Sequence, residues 1–148
     1  MNYKLVARTI ECTADSDPNV KWDSKYVGVI DSIMPSQKPS RIMWDAIAPP
    51  YMMMCGAIDE MGERALQWCL EEIKKIENGE IDEVDSSTEA YVFFLRKDRP
   101  ILFEFQYGEN GPEKGGEVTL AQFKLAVQTY LQFLRDPERK PIEVPFPE

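Results

Sequence analysis

The sequence predicts an α+β fold in which a small antiparallel sheet, made of an N-terminal strand and a hairpin over 90–107, is packed by two long amphipathic helices. Three observations predict it. Apolar residues recur at three- and four-residue spacing over 59–78 and over 119–135, which is helical. Alternating apolar and polar residues mark Tyr3 to Cys12 and 90–107 as strands. Finally, 148 residues with 43% apolar and 29% charged side chains are an ordinary globular composition. A chain of this length buries roughly two-thirds of the surface its unfolded form exposes, so one core and one domain over 1–148 are expected.

Taken in order, Tyr3, Leu5, Ala7 and Thr9 share one face of the first strand, with Val6, Ile10 and Cys12 on the other. Asp15 to Asp23 is turn chemistry, and Lys25 to Met34 is either a second strand or an irregular apolar stretch. Ser40 is placed to cap a short helix running to Ala48, which Pro49-Pro50 must end. Tyr51 to Ala57 is apolar and rich in methionine. Asp59 is a suitable N-cap for a long helix whose inward stripe is Gly62, Ala65, Leu66, Cys69, Leu70, Ile73 and Ile76, closed by Asn78-Gly79. Lys97 to Pro100 turns the hairpin, and 108–116 is a glycine-rich loop. Thr119 and Gln122 form a capping box that opens the second long helix, with Leu120, Phe123, Val127, Tyr130, Leu131 and Leu134 inward. Asp136-Pro137 ends that helix, and the proline-rich tail 137–148 is expected to be an extended strap or to fray.

Charge narrows the function. Six basic and six acidic side chains cancel over residues 1–58, so the net −9 falls entirely on 59–148. Between Glu71 and Glu89, eight acids face two lysines. Such a stretch repels polyanions and attracts cationic surfaces, which disfavours direct nucleic-acid binding. The longest apolar runs are far shorter than the ~20 residues that cross a bilayer, and the first residues have no signal-peptide pattern, so a cytoplasmic, membrane-free protein is expected.

The sequence contains no histidine, which removes Ser-His-Asp and Cys-His catalysis and every histidine-ligated metal site. Cys12, Cys55 and Cys69 are odd in number and widely spaced, suggesting neither a disulfide framework nor zinc. Cys69 lies on an apolar stripe, whereas Cys55 beside the methionine run is a candidate for exposure, with no base near it. The glycine-rich loop lacks the spacing of a phosphate-binding loop, and Asp82 to Glu89 lacks that of a calcium loop. No catalytic residue, cofactor or metal is therefore assigned. Trp68, beside the inward stripe, is expected in the core, while Trp22 and Trp44 are open.

The order of an N-terminal strand, a long helix ending Glu71-Glu72-Ile73-Lys74-Lys75-Ile76-Glu77-Asn78-Gly79, an acidic gap, a hairpin containing Pro100-Ile101-Leu102 and a capped C-terminal helix resembles small acidic immunity proteins. Bacteria encode these beside polymorphic toxins and contact-dependent growth-inhibition toxins. The resemblance covers Ala65 to Leu134 and rests on composition, so it carries acidic character to this chain and no particular residue. It implies a non-enzymatic inhibitor that binds a cognate, basic toxin domain, such as a nuclease, in the cytosol. The candidate docking residues are Glu71, Glu72, Asp82, Glu83, Asp85 and Glu89, together with Tyr107, Glu109, Glu113 and Glu117 around the glycine loop. Two other readings make distinct structural demands. A small-molecule or peptide-binding module needs a closed apolar pocket lined by Met53 or Phe103. A carboxylate-dependent enzyme needs two perturbed acids in one cleft.

Overall fold

The computed structural model describes residues 2–31 and 46–148. Strands β1 (Tyr3–Thr13) and β2 (Lys21–Asp31) form a long antiparallel hairpin. A 3-10 turn over Pro49–Tyr51 leads into helix α1 (Met52–Asp59), followed by α2 (Glu63–Glu77). Strands β3 (Glu83–Ser87), β4 (Tyr91–Arg96), β5 (Ile101–Phe105) and β6 (Glu113–Val118) then form a meander. Helix α3 (Leu120–Arg135) and strand β7 (Ile142–Phe146) complete the chain.

The structure is α+β, but the single small sheet expected from the sequence is two antiparallel sheets, ordered β2-β1-β7 and β3-β4-β5-β6. The hairpin β4-β5 cannot join β1, because β2 and β7 take both edges of β1 while β3 and β6 take both edges of the hairpin. Three stretches read as irregular supply the extra strands. The acidic gap contains β3, β6 begins within the glycine loop and runs on to Val118, and the tail is extended, the first of its two expected forms, but as a strand that pairs Tyr3 with Phe146. Phe146 is buried, edge-on to Tyr51 at 5.1 Å between ring centres. Lys25 to Asp31 is strand, resolving the alternative left open over Lys25 to Met34; residues 32–34 lie outside the described residues.

The helix expected from Ser40 to Ala48 falls mostly outside the described residues. At its end, however, Ile47 is extended, bridging Ile30, and the Ala48 amide donates to the Val29 carbonyl at 2.8 Å. Pro49-Pro50 therefore starts a turn instead of ending a helix, as suits residues whose φ is already fixed. The apolar run after it is α1, with Met54, Cys55, Ala57 and Ile58 buried. Asp59 is the last residue of α1 and not the N-cap of the next helix, a position held by Gly62. Thr119 and Gln122 form the expected capping box, at 3.1 Å and 2.9 Å.

Helix α1 holds the two sheets together, packing on β2 on one side and on β5 and β6 on the other. Gly116 makes that approach possible. Its φ is +69°, and a Cβ there would lie 2.8 Å from Cβ of Met53. Beneath the four-stranded sheet, Phe93, Phe103 and Phe123 are fully buried, with ring centres 5.1 to 6.2 Å apart.

Candidate protein-binding site

On α2, Leu66, Cys69, Ile73 and Ile76 are buried as the periodicity requires. Ala65, placed on the inward stripe by its spacing, is exposed. Trp68, expected in the core, is 38% exposed. One residue advances ~100° around a helix, so Trp68 stands ~120° from the middle of the stripe formed by Leu66, Cys69, Ile73 and Ile76, at its border. The signal was present in the spacing, and hydrophobicity alone misread it.

Trp68 forms the wall between two open grooves. One, of about 340 Å³, lies between α2 and the edge strand β3 and is lined by Met61, Ala65, Trp68, Cys69, Asp85, Ser86 and Ser87. The other, of about 320 Å³, is lined by Glu63, Arg64, Gln67, Trp68, Glu71 and Arg135. Arg135 of α3 donates to Gln67 at 3.0 Å, which fixes the floor of the second groove. Asp85 and Glu71 thus flank one exposed indole, and neither carboxylate makes an ion pair with a described residue.

The other candidate residues are distributed differently. Glu72 is drawn down onto the helix by Lys75 at 3.1 Å, and Glu83 meets Arg99 at 3.6 Å. Asp82 and Glu89 are exposed on either side of β3. Tyr107, 67% exposed, together with Glu109, Glu113 and Glu117, belongs to the β5-β6 turn and to β6. Strands β3 and β6 are opposite edges of the four-stranded sheet, so three strand spacings, roughly 14 Å, separate the two groups. The acids do not form one surface.

A second carboxylate cluster shapes the hairpin beside this face. Glu60 Oε1 accepts from the Thr88 hydroxyl and, at 3.1 Å, from the Ala90 amide, tying the end of α1 to the β3-β4 turn. Next to it, burial and then the Glu60 charge push Asp59 up to about 6. Asp59 stands close enough to Tyr91 and Tyr130 for its charge to raise both hydroxyls, after burial, which raises them most. It lines neither groove.

A carboxyl whose folded pKa exceeds its unfolded value near 3.8 costs stability when charged. The protein gains stability from this group as pH falls through about 6, and the gain is complete below about 3.8. Replacing Asp59 with Asn is therefore expected to stabilise the protein by about 1–2 kcal/mol near pH 8, allowing for the part of the group that water still reaches. The advantage should vanish near pH 4. Urea unfolding at several pH values measures this, and an advantage that does not change with pH would contradict it.

Cys55 is fully buried, not exposed, and burial pushes its thiol up to about 12. Cys69 is buried and pushed equally far, with Met61 Sδ 3.9 Å from its sulfur. Met53 fills the space against Gly116, and Phe103, fully buried among its ring neighbours, contributes only to the base of a small groove of about 180 Å³ between Phe94, Arg96, Leu102 and Lys114 on the other face of the four-stranded sheet. A wider trough of about 640 Å³ follows the paired ends of β1 and β7, between Tyr3, Val144 and Phe146, under the 3.5 Å pair of Lys4 and Glu143. Among the described residues, no three His, Cys, Asp or Glu side chains converge as metal ligands, and no helix is long and apolar enough to cross a membrane. No protein-family model, curated protein or solved structure matches the chain.

Proposed function

We propose that this chain is a stoichiometric protein inhibitor of the immunity type, which covers the basic active-site cleft of a cognate toxin domain. The observation that supports this reading best is Trp68, exposed between two grooves, one carrying Asp85 and the other carrying Glu63 and Glu71 beside Arg64 and Arg135. Tryptophan is the residue most enriched at binding hot spots, and two flat grooves beside it accept side chains from a partner. Carboxylates at the rim speed association with a basic surface and select against acidic ones, while apolar contact with the indole holds the complex. The docking surface on this reading is the α2-β3 face; the acids around β6 lie outside it.

The test is co-purification with the product of the adjacent upstream gene, together with protection of cells that express that product. Capture should be one-to-one and should weaken as salt rises from ~0.1 M to ~1 M, where the screening length falls from ~10 Å to ~3 Å. A folded chain that captures nothing and protects nothing would refute the proposal.

A further inference from the structure

The hairpin β1-β2 projects a strand edge. At 2.8 Å, the Ala48 amide donates to the Val29 carbonyl on the side of β2 away from β1, whereas the Ala14 amide donates to the Val20 carbonyl, at 3.0 Å, on the β1 side. The N–H and C=O of one strand residue point the same way, so the odd-numbered residues of β2 direct both groups outward. Ile47 and Ala48 cover that edge only beside Ile30 and Val29. No described strand pairs with it at Lys21, Asp23, Lys25 or Val27, and the Lys25 carbonyl accepts only the neighbouring Ser24 hydroxyl, at 3.3 Å, which leaves its second lone pair free. Open backbone groups of this kind are a template for another strand.

The side chains on the same edge are electrostatically unfinished. Glu11 and Asp23 stand directly opposite each other across β1 and β2, an arrangement that destabilises a strand pair. Lys21 reaches Glu11 only at 3.9 Å. Lys25 stands opposite Thr9 and makes no ion pair with a described residue. Beside it, Trp22 and Val20 are each 50% exposed. The net negative charge lies beyond residue 58, so two copies would not repel each other here.

We propose that β2 pairs antiparallel with β2 of a second copy of this chain, with Ser24 on the two-fold axis, joining two three-stranded sheets into one of six strands. Hydrogen bonding requires odd residues to face odd residues, so the possible registers differ in steps, and charge chooses among them. With Ser24 on the axis, Asp23 faces Lys25 of the second copy and Lys25 faces its Asp23, so each lysine meets a Glu11–Asp23 pair that Lys21 compensates only at 3.9 Å on the Glu11 side. All four outward residues from Lys21 to Val27 join the ladder. Moving the axis to Asp23 sets that carboxylate against itself and Lys21 against Lys25. Moving it to Trp22 pairs Lys21 with Asp23 but carries Lys25 past the start of the partner strand and leaves half the ladder unused.

Sedimentation of the full chain over about a hundredfold concentration range reads the assembly as 17.1 kDa or twice that mass. Asp23→Lys and Lys25→Glu should each turn two attractive cross-strand pairs into repulsive ones and weaken the dimer about tenfold or more. The combined variant should recover wild-type dimerisation, with circular dichroism unchanged throughout. Lys21→Glu should have the smaller effect. A chain that stays monomeric at every concentration overturns the proposal. So does a dimer indifferent to both single reversals, one that the combined variant fails to restore, or one that Lys21→Glu weakens more than Lys25→Glu.

Discussion

Truncating Phe123 to alanine is expected to cost about 3–5 kcal/mol of folding stability, the range for removing a fully buried aromatic ring. Phe123 projects from α3 onto Phe93 and Phe103 of neighbouring strands, at 5.6 Å and 6.2 Å between ring centres, and none of the three rings is exposed to solvent. The loss combines removed apolar burial, a cavity that two strands and a helix cannot close, and the ring-edge contacts themselves. A domain of this size has in total about 5–15 kcal/mol, so the variant should be partly unfolded near body temperature. Urea denaturation measures it. A cost under ~1 kcal/mol would mean that the space refills and that the triad does not anchor the sheet on the helix.

Trp68→Ala is expected to do the reverse, weakening partner binding about 30-fold or more while costing only about 1–2 kcal/mol of stability, the part due to the covered portion of an indole that is 38% exposed. A hot-spot tryptophan contributes at least about 2 kcal/mol to binding, whereas a half-covered ring beside open grooves, with no cap or buried network, costs well under the about 3–5 kcal/mol of a fully buried one. Trp68 is flanked by groove on both sides and makes no hydrogen bond to the described residues that its loss would orphan. Trp22→Ala is the matching control, since it removes an indole of greater exposure on the other sheet. Titration of each variant with the captured toxin domain separates the cases. Equal losses from Trp68 and Trp22 would refute the assignment of the α2-β3 face.

The elements legible in the sequence were those whose signal is local. The capping box, the stripe of α3 and the turn Lys97 to Pro100 each rest on residues within one turn or hairpin. Strands β3, β6 and β7 were hidden because their partners, and not their composition, make them strands. Glu83–Ser87 and Glu113–Val118 are mostly polar edge segments, and β7 contains Pro145, which an edge strand tolerates. Helix α1 was unreadable for the opposite reason: in Met-Met-Met-Cys-Gly-Ala-Ile nearly every residue is apolar, so no period stands out. At the site, the acidic stretch located the right region, but only the fold could show that Asp85 and Glu71 share one tryptophan while Tyr107 and Glu117 belong to the far edge.

The pairing of β1 with β7 also governs how the protein comes into being. β1 leaves the ribosome more than a hundred residues before β7, its partner in the sheet, so the central strand waits for its second neighbour while the segments between them are made. Contacts so distant in sequence form slowly, since a long loop must close before they return any energy. During that interval β1 presents a bare apolar edge, and the nascent protein is open to chaperones and to misassociation until Phe146 closes over Tyr51.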